Sequence, residues 1–316
     1  MDQPFLKKYQ PQKFEDFIIE KEYIELLNML IRTDSLNLLF IGNTGSGKTS
    51  ILDATMREYY KLDKIPHNNV LYINNLKDQG ISYYRNEVKT FCQTKSDIKG
   101  KKKFIILDDI DSINDQSQQV FRNCIDKYSN NVNFMASCSN THTVIESIQS
   151  RSTLIKIKKL RQESLTKIIL LIKEKEHIII NDPAQEFILN ICNNSVRLLI
   201  NYMEKFKLLD EKITLSIAKN ICTNISFFDF EKYTKFWFKE KDLIKAKNII
   251  NKIFNKGYSV MDILDSYFQF IKYTKLIPEE TKYKIIAIIC EYIARFNTQH
   301  EHSIELTFFT LDLYNL

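Results

Sequence analysis

The chain is poor in glycine, with 6 among 316 residues, or about 2% against a usual level of about 7%. Only 5 prolines accompany them. That excludes collagen-like and linker-rich chains, and it argues against a barrel or sandwich built on many tight glycine turns. Cysteine is present but unpatterned. Cys92, Cys124, Cys138, Cys192, Cys222 and Cys290 include no C-x-x-C pair and no histidine at ligand spacing, so a structural zinc site is not expected. Scattered in this way, they read as small buried apolar side chains in a reducing compartment. No apolar run approaches the roughly 20 residues that a membrane-spanning helix needs. The opening MDQPFLKKYQP has neither a signal-peptide core nor transit-peptide character. The expectation is a soluble intracellular protein with no membrane partner. Excess charge is slight: a net +6 permits an anionic partner such as nucleic acid without requiring one. With 44% hydrophobic and 27% charged residues, the chain sits near globular averages, and its length suggests two or three domains of about 100–200 residues each.

Against that scarcity, Gly42, Gly45 and Gly47 fall within six consecutive positions. They follow the first of five short apolar runs. LNLLFIG (36–42), VLYIN (70–74), KFIILDD (103–109), NFMASCS (133–139) and TLIKIKK (153–159) read as strands, rich in β-branched or aromatic residues and bounded by polar clusters. Helical patterns lie between them, over 48–61, 82–94 and 116–128. Nearly continuous apolar strands alternating with helices predict an α/β fold, a parallel sheet covered on both faces. Beyond about residue 160 the strand signal stops. RQESLTKIILLIKEKEHI, DPAQEFILNICNN and SVRLLINYMEKFKLLDE repeat apolar residues at i, i+3, i+4 spacing. The pattern stays helical from about 227 onward, with Gly257 and Pro278 as the clear breaks. The expected organisation is one α/β domain over 1–160, then all-helical units over 161–226 and 227–316.

Gly42-Asn43-Thr44-Gly45-Ser46-Gly47-Lys48-Thr49 fits G-x-x-x-x-G-K-[ST] between a strand and a helix, the context that makes this phosphate-loop pattern specific. Glycine lets backbone N–H groups turn inward where Cβ atoms would obstruct a phosphate. Lys48 would reach the β- and γ-phosphates of ATP, and the Thr49 hydroxyl would ligate Mg2+. The helix that begins near Lys48 would point its positive end at the anion. Further on, FIILDD (104–109) runs four apolar residues into two acids. A strand buried on both faces delivers such acids to the carboxyl edge of the sheet, beside the loop. Asp108 would hold the Mg2+ shell and Asp109 would polarise the attacking water. The base-reading N-K-x-D tetrapeptide of GTPases is absent.

Several segments in order carry a family resemblance. PFLKKYQPQKFEDFI is similar to an opening W-V-E-K-Y-R-P segment, and the phosphate loop is followed by Ser50. VLYINNLKDQGISYYRNEVKTF, FIILDDIDSINDQSQQVFRNCIDKY, NFMASCSN, IESIQSRS and NNSVRLLINYMEK follow. Together they resemble the small subunits of replication factor C, the AAA+ clamp loader, strongly through about residue 205 and more loosely beyond. The resemblance implies an AAA+ P-loop domain, a helical lid and a helical collar. It also implies a place among other clamp-loader subunits in a pentameric ring, with each nucleotide at a subunit interface. Tyr9 and Pro11 would lie near the adenine. Gly42, Asn43, Thr44, Gly45, Ser46, Gly47, Lys48, Thr49 and Ser50 would hold the phosphates, with Arg197 reaching in as the sensor-2 arginine. Asn140 would be the sensor-1 residue, and Arg151 the finger presented to a neighbour's ATP. The departures are Phe5 for Trp, Gln10 for Arg, Gln79 for the Arg before Gly80, Asn123 for a second Arg, and Ser152 for Cys. Most telling is Asp109, where the family carries a catalytic Glu. One methylene less can misplace a water by about 1 Å, a displacement that can cost on the order of 10²-fold in rate.

Arg85 and Lys89 are i, i+4 on a predicted helix and share a face. In the family this region faces primer–template DNA and the sliding clamp, so both are candidate phosphate contacts, as is Arg122. Phe91 suits either the clamp or the core. Lys99, Lys101, Lys102 and Lys103 read as a solvated turn, and Trp237 as helical core. The expected function is an ATP-driven clamp-loader subunit. One alternative is a subunit that holds ATP and supplies Arg151 while barely hydrolysing its own. Another is a different AAA+ replication ATPase, such as an initiator or helicase loader, against which the continuous helical C-terminal region counts. Its place would be nuclear in a eukaryote, or a nuclear or cytoplasmic replication site for a virus.

Overall fold

The computed structural model describes residues 3–18, 21–62, 65–73, 81–192, 194–222, 225–296 and 298–316, without the side chains of residues 21 and 81–85. Five parallel strands form one sheet: β1 (Leu38–Ile41), β2 (Val70–Ile73), β3 (Lys103–Leu107), β4 (Val132–Cys138) and β5 (Thr153–Lys156), in the order β2-β3-β4-β1-β5. Leu38 pairs with Met135 on one side and Thr153 on the other, which puts β1 inside the sheet. Every residue of β3 and β4 is buried. Alternate side chains serve opposite faces, as the strand period of two requires. Leu39, Ile105, Leu107, Phe134 and Ala136 pack with Val88 and Phe121 from the helices Ile81–Gln93 and Asp115–Tyr128. Leu38, Phe40, Phe104, Ile106 and Met135 pack with Leu27 from the helix Lys21–Arg32 and with Leu52 and Met56 from the helix Lys48–Tyr60. That is the two-faced parallel sheet the apolar runs predict. Four of the strands are shorter than those runs, and β4 is as long as its run but begins one residue earlier. β5 buries only Ile155, as an edge strand covered on one side, and β3 stops at Leu107, so both acids of FIILDD lie just past its end.

The chain forms two compact units, Met1–Ile168 with Asn194–Asn201, and Ile169–Asn193 with Tyr202–Leu316. The second is built from helices, among them Phe227–Thr234, Leu243–Phe254, Val260–Tyr273, Glu279–Phe296 and Ile304–Tyr314. Trp237 is fully buried in its core, on a π-helical turn over Lys235–Lys239, and its indole N–H donates to the Tyr267 hydroxyl at 3.1 Å. Burial of so large a ring with its one polar atom satisfied is the core role expected of it. Five of the six cysteines are buried and free; Cys290 is exposed, an exception to the reading of all six as core. No helix among the described residues is long and apolar enough to cross a membrane.

Candidate active site

The phosphate loop leaves β1 at Ile41 and re-enters helix at Lys48. A Cβ on Gly42 would stand 2.9 Å from Ser46 Oγ and 3.0 Å from the Ile157 carbonyl oxygen. Gly45 has φ +75°, and a Cβ there would come within 2.6 Å of Ser195 Oγ. Both close approaches belong to glycine. Lys48 is only 6% exposed. Its ammonium donates to the carbonyls of Gly42 at 2.8 Å and Asn43 at 3.3 Å, and to Ser139 Oγ at 3.1 Å. No carboxylate takes these bonds, so the buried cation is held by neutral oxygens alone. Ser46 Oγ is buried and makes no hydrogen bond. A buried ammonium and an unsatisfied hydroxyl beside inward-turning backbone suit an anionic phosphate ligand.

The acids stand beside it. Thr49 Oγ1 donates to Asp108 Oδ2 at 3.0 Å, and Ser137 Oγ donates to Asp108 Oδ1 at 2.6 Å. The Asp109 backbone N–H donates to the same Ser137 hydroxyl at 3.0 Å. Asp109 itself sits in the left-handed region with φ +53°. Desolvation in the cleft, then the neighbouring Asp108 charge, holds its carboxyl above the usual carboxylate range, while Lys48 and Arg197 pull it back. Arg197, exposed on the first turn of the helix Val196–Leu209, thus lies within electrostatic reach of the acids. Thr49 and Asp108 present an oxygen donor set that fits a hard divalent cation such as Mg2+.

Other residues that sequence reasoning missed join this cluster. Asp111 Oδ2 accepts from the N–H groups of Ser139 at 2.9 Å and Asn140 at 3.2 Å. Ser139, not Asn140, is the residue that touches Lys48; the Asn140 side chain accepts from His142 N at 3.0 Å and caps the following turn. The buried Gln118 amide donates to the carbonyls of Ile113 and Thr143, both at 2.9 Å, and accepts from Ile145 N at 2.9 Å. It thereby ties the turn after the acids to the segment after β4. Nothing in a single polar letter such as Gln118 signals this, because its partners lie up to 27 positions away.

The remaining expected residues are distributed as follows. Asn43 and Thr44 are exposed and Ser50 is half-buried. Tyr9 and Pro11 are half-buried, with the Tyr9 ring edge-on to Phe5 at 5.5 Å. Between them Gln10 Nε2 donates to Asp53 Oδ2 at 3.5 Å, and the Tyr72 hydroxyl donates to Asp53 Oδ1 at 2.5 Å. Arg151 lies apart from the Lys48 cluster, on the turn after the short helix Glu146–Gln149. Its Nε donates to Asp126 Oδ1 at 2.5 Å and its Nη1 to the Ser147 carbonyl at 2.8 Å. Arg122 Nε stands 3.5 Å from the other oxygen of Asp126. Lys89 is exposed, whereas the Arg85 side chain and Gly80 lie outside the described residues. Phe91 packs against the sheet core. The lysine turn departs from expectation. Only Lys99 is exposed; Lys101 lies over the Tyr59 ring, Lys102 pairs with Asp34 at 3.3 Å, and Lys103, the first residue of β3, is buried against Thr94. Entry into the central sheet draws these side chains inward along their apolar stems.

Comparison with known proteins accords with this geometry. Residues 38–160 match the ATPase family associated with various cellular activities (AAA), and residues 232–304 match the replication factor C C-terminal domain. A putative replication factor C small subunit of Acanthamoeba polyphaga mimivirus is 28% identical over 289 residues, covering 91% of this chain and 89% of that protein. The chain thus carries an AAA domain followed by a replication factor C C-terminal domain, and it is similar along most of its length to replication factor C small subunits. Family members of similar likeness come from Methanococcus maripaludis, at 26% identity with 91% of both chains covered, and from Schizosaccharomyces pombe, whose replication factor C subunit 3 is 26% identical over 87% of this chain and 80% of its own. Among solved structures, the Thermotoga maritima RuvB Holliday junction branch migration motor superposes with a TM-score of 0.54 at 13% identity, covering 74% of this chain and 80% of that one. That likeness shows the AAA+ fold alone. With its AAA match over residues 38–160, the chain is an AAA+ ATPase.

Proposed function

We propose that this chain is a clamp-loader subunit in which ATP binding and hydrolysis drive the opening of a DNA sliding clamp and its loading at primer–template junctions. One observation carries the reading: the AAA match over 38–160 and the replication factor C C-terminal match over 232–304 occur in one chain, in that order. Lys48 exchanges its carbonyl contacts for the β- and γ-phosphates, a neutral partner set for a charged one. Thr49 and Asp108, already hydrogen-bonded to each other, hold Mg2+, which when bound neutralises charge on the transferring phosphoryl group. Asp109 polarises the attacking water, Ser139 and Asn140 line the γ-phosphate side, and Arg197 reaches the nucleotide from the first turn of its helix. Residues 161–226 act as the lid and 227–316 as the collar through which subunits of a five-membered ring hold together. Lys89, Arg85 and Arg122 offer sequence-independent contacts to DNA phosphates, and such binding weakens with salt.

Arg151 acts on a neighbour's ATP; that its hydrogen-bond partners are Asp126, Ser147 and Ser150, none of them shared with Lys48, supports this reading. Arg151→Ala should leave the ATP affinity of the isolated chain unchanged and depress the ATPase of the assembled complex. Equal loss in the isolated chain would overturn the assignment. Lys48→Ala should abolish ATP binding by this subunit. A second reading has its own observation: Asp109 is shorter than the family's Glu, which favours a subunit that holds ATP and lends Arg151 while hydrolysing its own nucleotide slowly.

A further inference from the structure

Asp126 is an exposed acid on the last turns of the helix Asp115–Tyr128. No role for it follows from the sequence, yet each of its oxygens faces an arginine. Arg151 Nε meets Oδ1 at 2.5 Å, and Arg122 Nε, one turn back on the same helix, stands 3.5 Å from Oδ2. Stability does not account for the arrangement. The side chains are 31% (Arg151), 38% (Arg122) and 44% (Asp126) exposed, and ion pairs this wet contribute little to stability. Orientation does. A guanidinium is a rigid plane with five N–H donors. Here Asp126 takes the Nε–H, and the Ser147 carbonyl takes Nη1 at 2.8 Å. Two fixed points on a plane determine its direction. Nη1 also reaches Ser150 Oγ at 3.4 Å; among the described residues Nη2 makes no hydrogen bond, so the outer end of the guanidinium keeps both of its N–H groups to offer to a phosphate oxygen. Arg122, at i−4, adds a charge attraction to the same carboxylate at 3.5 Å without a hydrogen bond. The Arg151 guanidinium also holds the Asp126 carboxyl below the usual carboxylate range, so the acid stays charged at neutral pH.

We infer that Asp126 is the positioning residue for Arg151, presetting the guanidinium so that its free edge meets an anionic phosphate across a subunit interface. The inference rests on the reading of Arg151 as a finger acting on a neighbour's ATP. Presetting matters because an unrestrained arginine carries rotamer entropy that would otherwise be lost at each encounter. Asp126 touches no reacting atom itself, so its loss should lower turnover without touching nucleotide affinity.

The test uses the assembled complex purified with this chain carrying Asp126→Asn, Asp126→Glu, Arg151→Ala, or Asp126→Asn with Arg151→Ala. Steady-state ATPase is measured alongside ATP affinity and thermal melting of the isolated chain. Asp126→Asn should lower kcat roughly 10-fold, well short of the 10²-fold cost of a full 1 Å misplacement. KM, affinity and melting should stay unchanged. Asp126→Glu, which can restore the ion pair, should recover most of the loss, and adding Asp126→Asn to Arg151→Ala should lower kcat no further. Normal kcat in Asp126→Asn alongside impaired Arg151→Ala overturns the positioning role while leaving the finger intact. Normal kcat in Arg151→Ala overturns the finger reading itself. A further fall in the double variant would show that Asp126 acts on something other than Arg151, and would also overturn the proposal.

Discussion

At the scale of single residues, Asp109 holds two opposed demands. Its φ of +53° is a backbone state that Asp and Asn adopt more readily than longer side chains. The same residue is one methylene short of the family's glutamate. Asp109→Glu should therefore raise the ATPase of the assembled complex, by as much as about 10-fold if reach limits the water. It should also lower stability by less than about 1 kcal/mol through the left-handed backbone. Steady-state kinetics and urea unfolding of the same variant separate the two effects; an unchanged rate would show that reach is not limiting. The loop glycines divide similarly. Gly47 has φ +92° but open space around its Cβ position, whereas Gly45 has φ +75° and Ser195 Oγ at 2.6 Å. Gly47→Ala should cost about 1 kcal/mol of strain alone, while Gly45→Ala should cost more and displace the segment that carries Arg197. Comparing unfolding midpoints and ATP affinities of the two variants checks the order.

At the scale of elements, the sheet was readable because each strand is a contiguous apolar run, and the loop and acids were readable because their chemistry is concentrated in neighbouring letters. What joins elements was not. Gln118 binds a carbonyl 25 residues away, and Asp126 meets Arg151 across another 25. Ser139 and Asn140 follow the last residue of β4, where the alternation of the strand no longer decides which of two polar side chains faces Lys48. Such partners are set by which helix lies over which strand, a property no local pattern carries. Gln118→Ala would deprive the half-buried Ile145 N–H, the buried Ile113 carbonyl and the Thr143 carbonyl of this partner. Each unsatisfied buried group costs about 1–3 kcal/mol, so a loss of about 2–4 kcal/mol is expected in urea unfolding. Gln118→Glu, which keeps the shape but loses the donor, should be nearly as damaging.

At the scale of the whole chain, thiol chemistry reports which surfaces are closed. Burial pushes the Cys138 thiol up to about 11 and the Cys222 thiol up to about 12, and Cys92, Cys124 and Cys192 are also buried. Since the thiolate is the reactive form, a neutral thiol reagent at pH 8 should label Cys290 quickly and the other five only as the protein unfolds. Mass spectrometry of the labelled, digested chain would show the order. The all-helical character of the latter half was plain from its 3.6-residue period, but its grouping was not, because helical periodicity says which face is apolar and not which helices share a core. The chain passes between its two compact units three times, after residues 168, 193 and 201. Those crossings matter for synthesis. A ribosome extending the chain at about 5–20 residues per second completes the sheet by Lys156, yet takes roughly 2–9 s more to deliver Asn194–Asn201. During that interval the nascent nucleotide site has its phosphate loop and acids but neither Ser195 nor Arg197. A chain interrupted at the end of the sheet would fold around a site left open on one side, and ATP binding would become a property of the growing chain only once residue 201 had emerged.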